Sequence, residues 1–149
     1  MKSLPLTTIA SWLLRLSLAT AFLSAVADRF GLWGSNGAPH VAWGDWSHFA
    51  AYSQKLTWFV PDFLAAPAAY MATALEIILP IWLLIGIRLR LAALASAGLL
   101  FVFAISMVVG LGIKAPLDYS VFTAAAGALG LAALSGNRQS AESSKNGDI

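Results

Sequence analysis

The sequence predicts an all-α integral membrane protein, a four-helix bundle with an amphipathic interfacial helix in its first outer loop. Of its 149 residues, 59% are hydrophobic and only 11% are charged, and the mean hydropathy is +0.77. A water-soluble domain of this size has no interior large enough for so many apolar side chains. The chain also divides into four apolar stretches, separated by polar residues, glycine and proline. Together these observations predict several membrane-spanning helices.

One carboxylate, Glu76, lies near the middle of the second apolar stretch. It is the only charged side chain between residues 68 and 87. A bilayer core about 30 Å thick takes roughly 20 helical residues, so Glu76 is predicted near the bilayer midplane. A charge costs at least about 2.5 kcal/mol there. We therefore expect Glu76 to be protonated, paired with a cation, or facing a polar cavity.

The first predicted helix covers residues 6–30. Lys2, Arg15 and the A-x-A sequence at 25–27 also fit a cleaved signal peptide. Against cleavage, the apolar run continues through Phe30, and removing it would leave an odd number of helices. We interpret residues 6–30 as a membrane-spanning helix.

The second predicted helix covers residues 67–87 and begins at Pro67, a residue tolerated in a first helical turn. Pro80 cannot donate a hydrogen bond to the carbonyl of Glu76, which predicts a kink beside the carboxylate. A very short basic turn then leads to a third, antiparallel helix at 91–112.

The fourth predicted helix, at 118–134, is short and rich in small residues. Small residues spaced four apart, such as Ala126 and Gly130, let helix backbones approach closely. Residues 1–134 form the predicted transmembrane domain. The polar segment 135–149 has no hydrophobic pattern and is predicted to be a disordered cytoplasmic tail.

The outer loop at 31–66 is rich in tryptophan and other aromatic residues, which concentrate where a membrane meets water. Within it Asp45 can cap a helix that extends to about Thr57. One face of that helix carries apolar or small residues at helical spacing: Trp46, Phe49, Ala50, Ser53 and Leu56. This pattern predicts a helix lying in the membrane interface.

Basic residues predict the orientation, because cytoplasmic loops carry an excess of lysine and arginine. Four spans place both termini and the short turn in the cytoplasm and the aromatic loop outside. The residues that would lie on the cytoplasmic side are Lys2, Arg88, Arg90, Arg138 and Lys145. Most of the basic residues flank apolar segments. We therefore attribute the net charge of +2 to membrane topology and not to a nucleic-acid partner.

Arg15 is the second ionisable residue predicted inside the membrane. Helical rise places it about 10 to 13 Å deep from the cytoplasmic side, and Glu76 about 15 Å from the outside. An Arg15–Glu76 ion pair is therefore the leading hypothesis, with a purely structural role as the alternative. Asp28 and Arg29, at the outer end of the first helix, either extend to the interface or, for Arg29, line the outer mouth of the bundle.

Other chemistry is constrained by composition. The chain has no cysteine, which excludes thiolate metal sites, iron–sulfur clusters and covalent haem, so no intrinsic cofactor is predicted. His40 and His48 lack the further ligands that a metal site needs. Arg29, Trp46 and Trp58 are candidates for substrate binding. For the aromatic residues, the alternative is a belt at the membrane surface.

Four segments resemble the DoxX family of small four-helix bacterial membrane proteins. They are LLRL at 13–16, DRF at 28–30, ALE at 74–76 and LIGIRLRLAA at 84–93. The resemblance extends over roughly residues 12–134. It implies a location in the bacterial inner membrane and redox-associated work, because the related DoxD subunit belongs to a thiosulfate:quinone oxidoreductase.

Three classes of function are consistent with these features. In the first, the protein is a redox-associated and quinone-binding subunit, in which Glu76 exchanges protons, Arg15 orients it and a partner protein supplies electrons. In the second, it is a small proton-coupled transporter that works as a homodimer. A third hypothesis is a membrane scaffold for peripheral enzymes.

Overall fold

The computed structural model describes residues 5–146, with the side chains of all of them except Asp62 and residues 137–146. Throughout that range the regular secondary structure is α-helical. The helices are α1 Leu6–Arg29, α2 Trp46–Leu56, α3 Asp62–Ile85, α4 Leu89–Leu111, α5 Lys114–Asp118 and α6 Val121–Asn146. The all-α prediction is confirmed for these residues.

Three of the helices are long and apolar enough to cross a membrane, judged by length and composition: Leu6–Arg29, Phe63–Ile85 and Leu89–Leu111. A shorter apolar helix covers Val121–Gly136. α1 packs against α3 and α6, and α4 packs against the same two helices. The segment at 30–61, which includes α2, lies at one end of these helices, which we term the loop end. The α3–α4 turn at 86–88 marks the opposite, turn end.

Small residues form the interface between α4 and α6. Ala92, Ala93 and Ala97 of α4 are buried with Ala128 and Ala132 of α6 in one apolar cluster. Small side chains let two helix backbones approach closely, as expected from the composition of the fourth predicted helix. The predicted pair was wrong, however, because Ala126 and Gly130 are exposed. The buried face of α6 is instead the one that carries Ala125, Ala128 and Ala132.

The second long helix, α3, begins five residues earlier than predicted. It begins at Asp62, so Pro67 lies inside the helix and not in its first turn, and Pro80 lies inside it as well. At the turn end α3 stops at Gly86, whose φ of +82° is a left-handed conformation that favours glycine.

The C-terminal segment differs most from the prediction. A short helix, α5, precedes α6, and α6 begins at Val121 and continues to Asn146. The segment predicted to be disordered is therefore helical as far as it is described. Lys2 and residues 147–149 lie outside the described residues, as do the side chains of Arg138 and Lys145.

The short helix α2 has the predicted bounds and the predicted packed face. Phe49 is buried, and Trp46, Ala50, Ser53 and Leu56 are partly buried. α2 packs against both α3 and α4. Its approach to α4 is close, because a Cβ built on Gly110 would come within 2.9 Å of the Leu56 Cα atom. α2 is thus held between two long helices at the loop end.

Candidate functional site

Glu76 lies on the buried face of α3, together with Thr73 one turn before it. Only 3% of the surface of Glu76 and 5% of that of Thr73 is exposed. At 1.5 Å of rise per residue, Glu76 is about 21 Å from the start of α3 and about 13 Å from its end. The carboxylate is therefore more than two turns from either end of the helix.

The cation that neutralises Glu76 is Arg29, the last residue of α1. Its Nη1 forms an ion pair with Glu76 Oε2 and donates a hydrogen bond of 2.6 Å to Thr73 Oγ1. The Thr73 hydroxyl in turn donates to the Ala69 carbonyl at 3.0 Å. Because Arg29 is also buried, the two charges offset each other's desolvation. We refer to Arg29, Thr73 and Glu76 as the polar cluster.

Two aromatic rings from the loop end cover the Arg29 guanidinium. Its Cζ atom lies 3.9 Å from the centroid of the Phe49 ring and 5.4 Å from that of Trp43. The two rings pack edge to face, 5.2 Å apart. Cation–π contacts of this kind are worth about 2 kcal/mol when they are desolvated. They also separate the polar cluster from the loop end.

Asp28, next to Arg29, fixes the loop that carries Trp43. Its carboxylate accepts hydrogen bonds from the backbone N–H groups of Ala42, Trp43 and Gly44, at 2.8, 3.0 and 2.9 Å. Gly44 has a φ of +73°, and a Cβ there would come within 2.2 Å of the Asn36 backbone nitrogen. Only glycine fits this position. The hypothesis that Asp28 and Arg29 extend to the interface was wrong, because both are buried.

The first turn of α2 has its own cap. Asp45 accepts hydrogen bonds from the Ser47 hydroxyl at 2.6 Å and from the His48 backbone N–H at 3.0 Å, as the sequence predicted for Asp45. The Ser47 hydroxyl, then the His48 backbone N–H and ring, lower the pKa of the Asp45 carboxyl well below its ordinary range.

Among the described residues, no group of three His, Cys, Asp or Glu is placed to hold a metal ion.

The polar cluster contains a buried donor that has no hydrogen-bond acceptor. Arg29 Nε makes no hydrogen bond, and Glu76 Oε2 takes part in the ion pair without an aligned hydrogen bond. An unpaired buried N–H group costs about 1–3 kcal/mol, so such groups are rare in folded proteins. The cluster therefore retains the capacity to bind one more acceptor atom.

Arg15 does not pair with Glu76, and that prediction was wrong. Its Nε donates to the Leu83 carbonyl at 2.7 Å and its Nη2 to the Leu84 carbonyl at 2.6 Å, while its guanidinium lies 3.9 Å from the centroid of the Trp12 ring. Leu83 is about two turns beyond Glu76. Arg15 thus binds the last carbonyls of α3, which a helix end leaves without internal donors.

The two tryptophans proposed as substrate contacts differ in position. Trp46 packs on Phe49 at 5.3 Å and stacks on Tyr70 at 4.6 Å, so it contacts a residue that covers the polar cluster. Trp58 is 70% exposed and packs edge-on against Phe59. The structure therefore connects Trp46 to the cluster through Phe49 and leaves Trp58 apart from it.

Sequence analysis missed Thr73 and the covering ring of Phe49. Thr73 precedes Glu76 by three residues, a spacing that places both side chains on one face of a helix. Arg15 and Arg29 are separated by about four turns, which puts both on the buried face of α1. This spacing in the sequence could have indicated that both arginines, and not only Arg15, face α3.

Comparison of the chain with protein-family models, with curated proteins and with solved structures finds no match. The class that the described residues define is an all-helical protein, with three helices suited to crossing a membrane and a buried Arg–Glu pair between two of them.

Proposed function

We propose that the chain is an integral protein of the bacterial inner membrane with four spans, both termini cytoplasmic and the loop end outside. Three apolar helices of sufficient length support this placement, and the apolar part of α6, which packs on α1 and α4, supplies a shorter fourth span. Arg88 and Arg90 at the turn end agree with the positive-inside rule. The resemblance to the DoxX family supports the same arrangement.

Within that framework, the proposed function is that of a redox-associated subunit that binds a quinone at the polar cluster. The observation that carries the proposal is the buried Arg29–Glu76 pair, with its unpaired Arg29 N–H group. Arg29 takes the orienting role that the sequence suggested for Arg15. Glu76 is the group that gives or receives a proton, because a carboxylate in an apolar site can be poised for transfer by the cation beside it.

The residues of the cluster fit the chemistry of a quinone. A quinone carbonyl is a hydrogen-bond acceptor and Arg29 Nε is a donor without one, while the rings of Phe49 and Trp43 beside the guanidinium give the site an apolar lining. When bound, a quinone supplies the capacity to accept two electrons and two protons. In this proposal the electrons come from a partner protein, and the chain has no cysteine that could hold an iron–sulfur cluster.

The test is mass spectrometry of the lipid-soluble molecules that co-purify with the detergent-solubilised protein. The wild type is compared with Glu76→Gln and with Asp118→Asn, a control that neutralises an exposed carboxylate. We expect a quinone in the wild type and in the control, and its loss from Glu76→Gln. A wild type without quinone, or an unchanged quinone content in Glu76→Gln, would exclude this site.

Proton-coupled transport by a homodimer is the alternative, and the structure disfavours its cation-exchange form. Glu76 already has a fixed cation, Arg29, as its partner, and that charge would compete with a cationic substrate. If the protein is instead a scaffold for peripheral enzymes, the Glu76→Gln variant should behave as the wild type does and leave the cell's redox enzymes unaffected.

A further inference from the structure

A second site lies at the turn end, away from the polar cluster. A cavity of about 410 Å³ is lined by Arg88, Arg90, Leu91 and Leu94. It therefore combines two guanidinium groups with two leucine side chains at the beginning of α4. A cavity with this lining favours a ligand that has one anionic part and one apolar part.

The turn that presents these arginines is fixed by three contacts. Arg88 has a φ of +47°, an uncommon conformation for a residue with a side chain. The Trp82 indole N–H donates to the Ile87 carbonyl at 2.7 Å, and Arg15 binds the Leu83 and Leu84 carbonyls. These contacts fix the end of α3 and the residue before Arg88, so the turn that carries the two arginines has a defined starting position.

No carboxylate neutralises the two arginines within the described part of the chain. The ion pairs there join Arg29 with Glu76, His48 with Asp45 and Lys114 with Asp118. Arg90 instead extends toward α6, where a Cβ built on Gly136 would lie 3.5 Å from its Nη1 atom. Among the described side chains, the turn end thus carries two arginines without a neutralising carboxylate, in a cavity large enough for a phosphate group.

An exposed apolar stripe leads away from the cavity along α4. Leu91 and Leu94, which line the cavity, are followed at helical spacing by Gly98, Phe101 and Val102, all of them exposed. Nothing lies within 4 Å of a Cβ built on Gly98, so the stripe has a notch at that position. A notch flanked by Leu94 and Phe101 is a shape that an acyl chain can follow.

We propose that this cavity binds an anionic phospholipid, with its phosphate between Arg88 and Arg90 and one acyl chain along the stripe on α4. Basic pockets between helices on the cytoplasmic side of a membrane recognise anionic headgroups for this reason. The inference rests on the proposed membrane placement and is independent of the quinone site, because the cavity shares no residue with the polar cluster.

The test is native mass spectrometry of the full chain in detergent, titrated with phosphatidylglycerol or with phosphatidylcholine that carries the same acyl chains. We expect the wild type to prefer phosphatidylglycerol. Each basic residue near a membrane surface contributes about 1 kcal/mol to anionic lipid binding, so Arg88→Gln with Arg90→Gln is expected to weaken that binding roughly 30-fold. Arg88→Lys with Arg90→Lys should retain most of it.

The matched control removes two charges at the loop end, with Lys55→Gln and Lys114→Gln, and should bind as the wild type does. Glycerol 1-phosphate, a headgroup without acyl chains, should fail to displace the lipid at equal concentration. Equal affinity for the two lipids, wild-type binding by the double glutamine variant, or displacement by glycerol 1-phosphate would each overturn the proposal. Circular dichroism confirms that the exposed substitutions leave the helices intact.

Discussion

Arg29 is the last residue of α1, but its guanidinium pairs with Glu76, which lies well inside α3. Side chains on a helix are directed toward its N-terminus, so a guanidinium attached to the last residue of α1 reaches back into the packed helices and meets Glu76. The neighbouring Asp28 binds the loop at 42–44 instead. Two adjacent residues of opposite charge thus have separate partners.

The first prediction concerns this pair. Arg29→Leu leaves a buried carboxylate without its cation, and we expect a loss of about 3–5 kcal/mol in the free energy of unfolding. Arg29→Leu combined with Glu76→Leu should recover much of that loss, because no charge then remains to be desolvated. Reversible unfolding in mixed detergent micelles measures both values. A double variant no more stable than the single one would show that the pair is not what stabilises the site.

The second prediction is a pH dependence at the α2 cap. Because the pKa of Asp45 is lowered from its ordinary value of 3.8, the cap stabilises α2 above that pH, and its contribution is lost as the pH falls below it. The free energy of unfolding of the wild type should therefore fall as the pH is lowered from about 4 to about 2. Asp45→Asn keeps a capping side chain but cannot ionise, so this part of the loss should be absent in that variant.

For single residues, the sequence indicated correctly that Glu76 needs a partner, but the predicted partner, Arg15, was the wrong arginine. Both Arg15 and Arg29 lie on the buried face of α1, and composition and helical rise are consistent with either. The choice depends on the axial offset between α1 and α3. That offset is set by tertiary contacts, such as those of Arg15 with the Leu83 and Leu84 carbonyls, which no local pattern contains.

Among the elements, α2 is placed by its close approach to α4 at Gly110. A methyl group at that position would meet the Leu56 backbone at 2.9 Å. Backbone atoms cannot move aside as the end of a flexible side chain can, so α2 would have to shift. Since α2 carries Phe49, a shift would also move the ring that covers Arg29.

The third prediction follows from this contact. Gly110→Ala should destabilise the protein by about 1–3 kcal/mol, because the overpacking cost exceeds the gain in helix propensity. The control is Gly98→Ala in the same helix, where the added methyl meets nothing within 4 Å. That change should stabilise the protein by about 0.5–1 kcal/mol. If both variants changed the free energy of unfolding equally, α2 would not be packed against α4 as the structure has it.

The sequence predicted the long helices well and their ends less well. Apolar periodicity and the Asp45 cap were sufficient to locate α1, α2, α3 and α4. The early start of α3 was missed because Pro67 resembled a first-turn proline, whereas the helix begins five residues before it. The extension of α6 to Asn146 was missed because its polar sequence lacks an apolar face, so local pattern gave no sign of it.

For the whole molecule, the fourth prediction concerns orientation in the membrane. The chain contains no cysteine, so single cysteines give an unambiguous signal. Gln54→Cys in α2 should react with a membrane-impermeant maleimide on intact bacterial cells. Ile87→Cys in the exposed α3–α4 turn, and a cysteine added after Ile149, should react only after the cells are opened.

Each of the added cysteines tests a separate part of the proposed topology. Labelling of Ile87→Cys on intact cells would reverse the orientation. Labelling of the C-terminal cysteine on intact cells, with Ile87→Cys protected, would show that α6 does not cross the membrane and that the chain has three spans. Loss of helical content in a variant, measured by circular dichroism, identifies a substitution that must be moved to a neighbouring exposed position.

The sequence separation between Arg29 and its partners has a consequence for biosynthesis. Arg29 precedes Thr73 by 44 positions in the chain, and Glu76 comes three residues later, so a translating ribosome delivers the cation to the proposed membrane well before the carboxylate. Because burial of the guanidinium without Glu76 is costly, we expect Arg29 to stay hydrated at the membrane surface during that interval. It would then be buried only when α3 packs against α1 in the register that pairs the two charges.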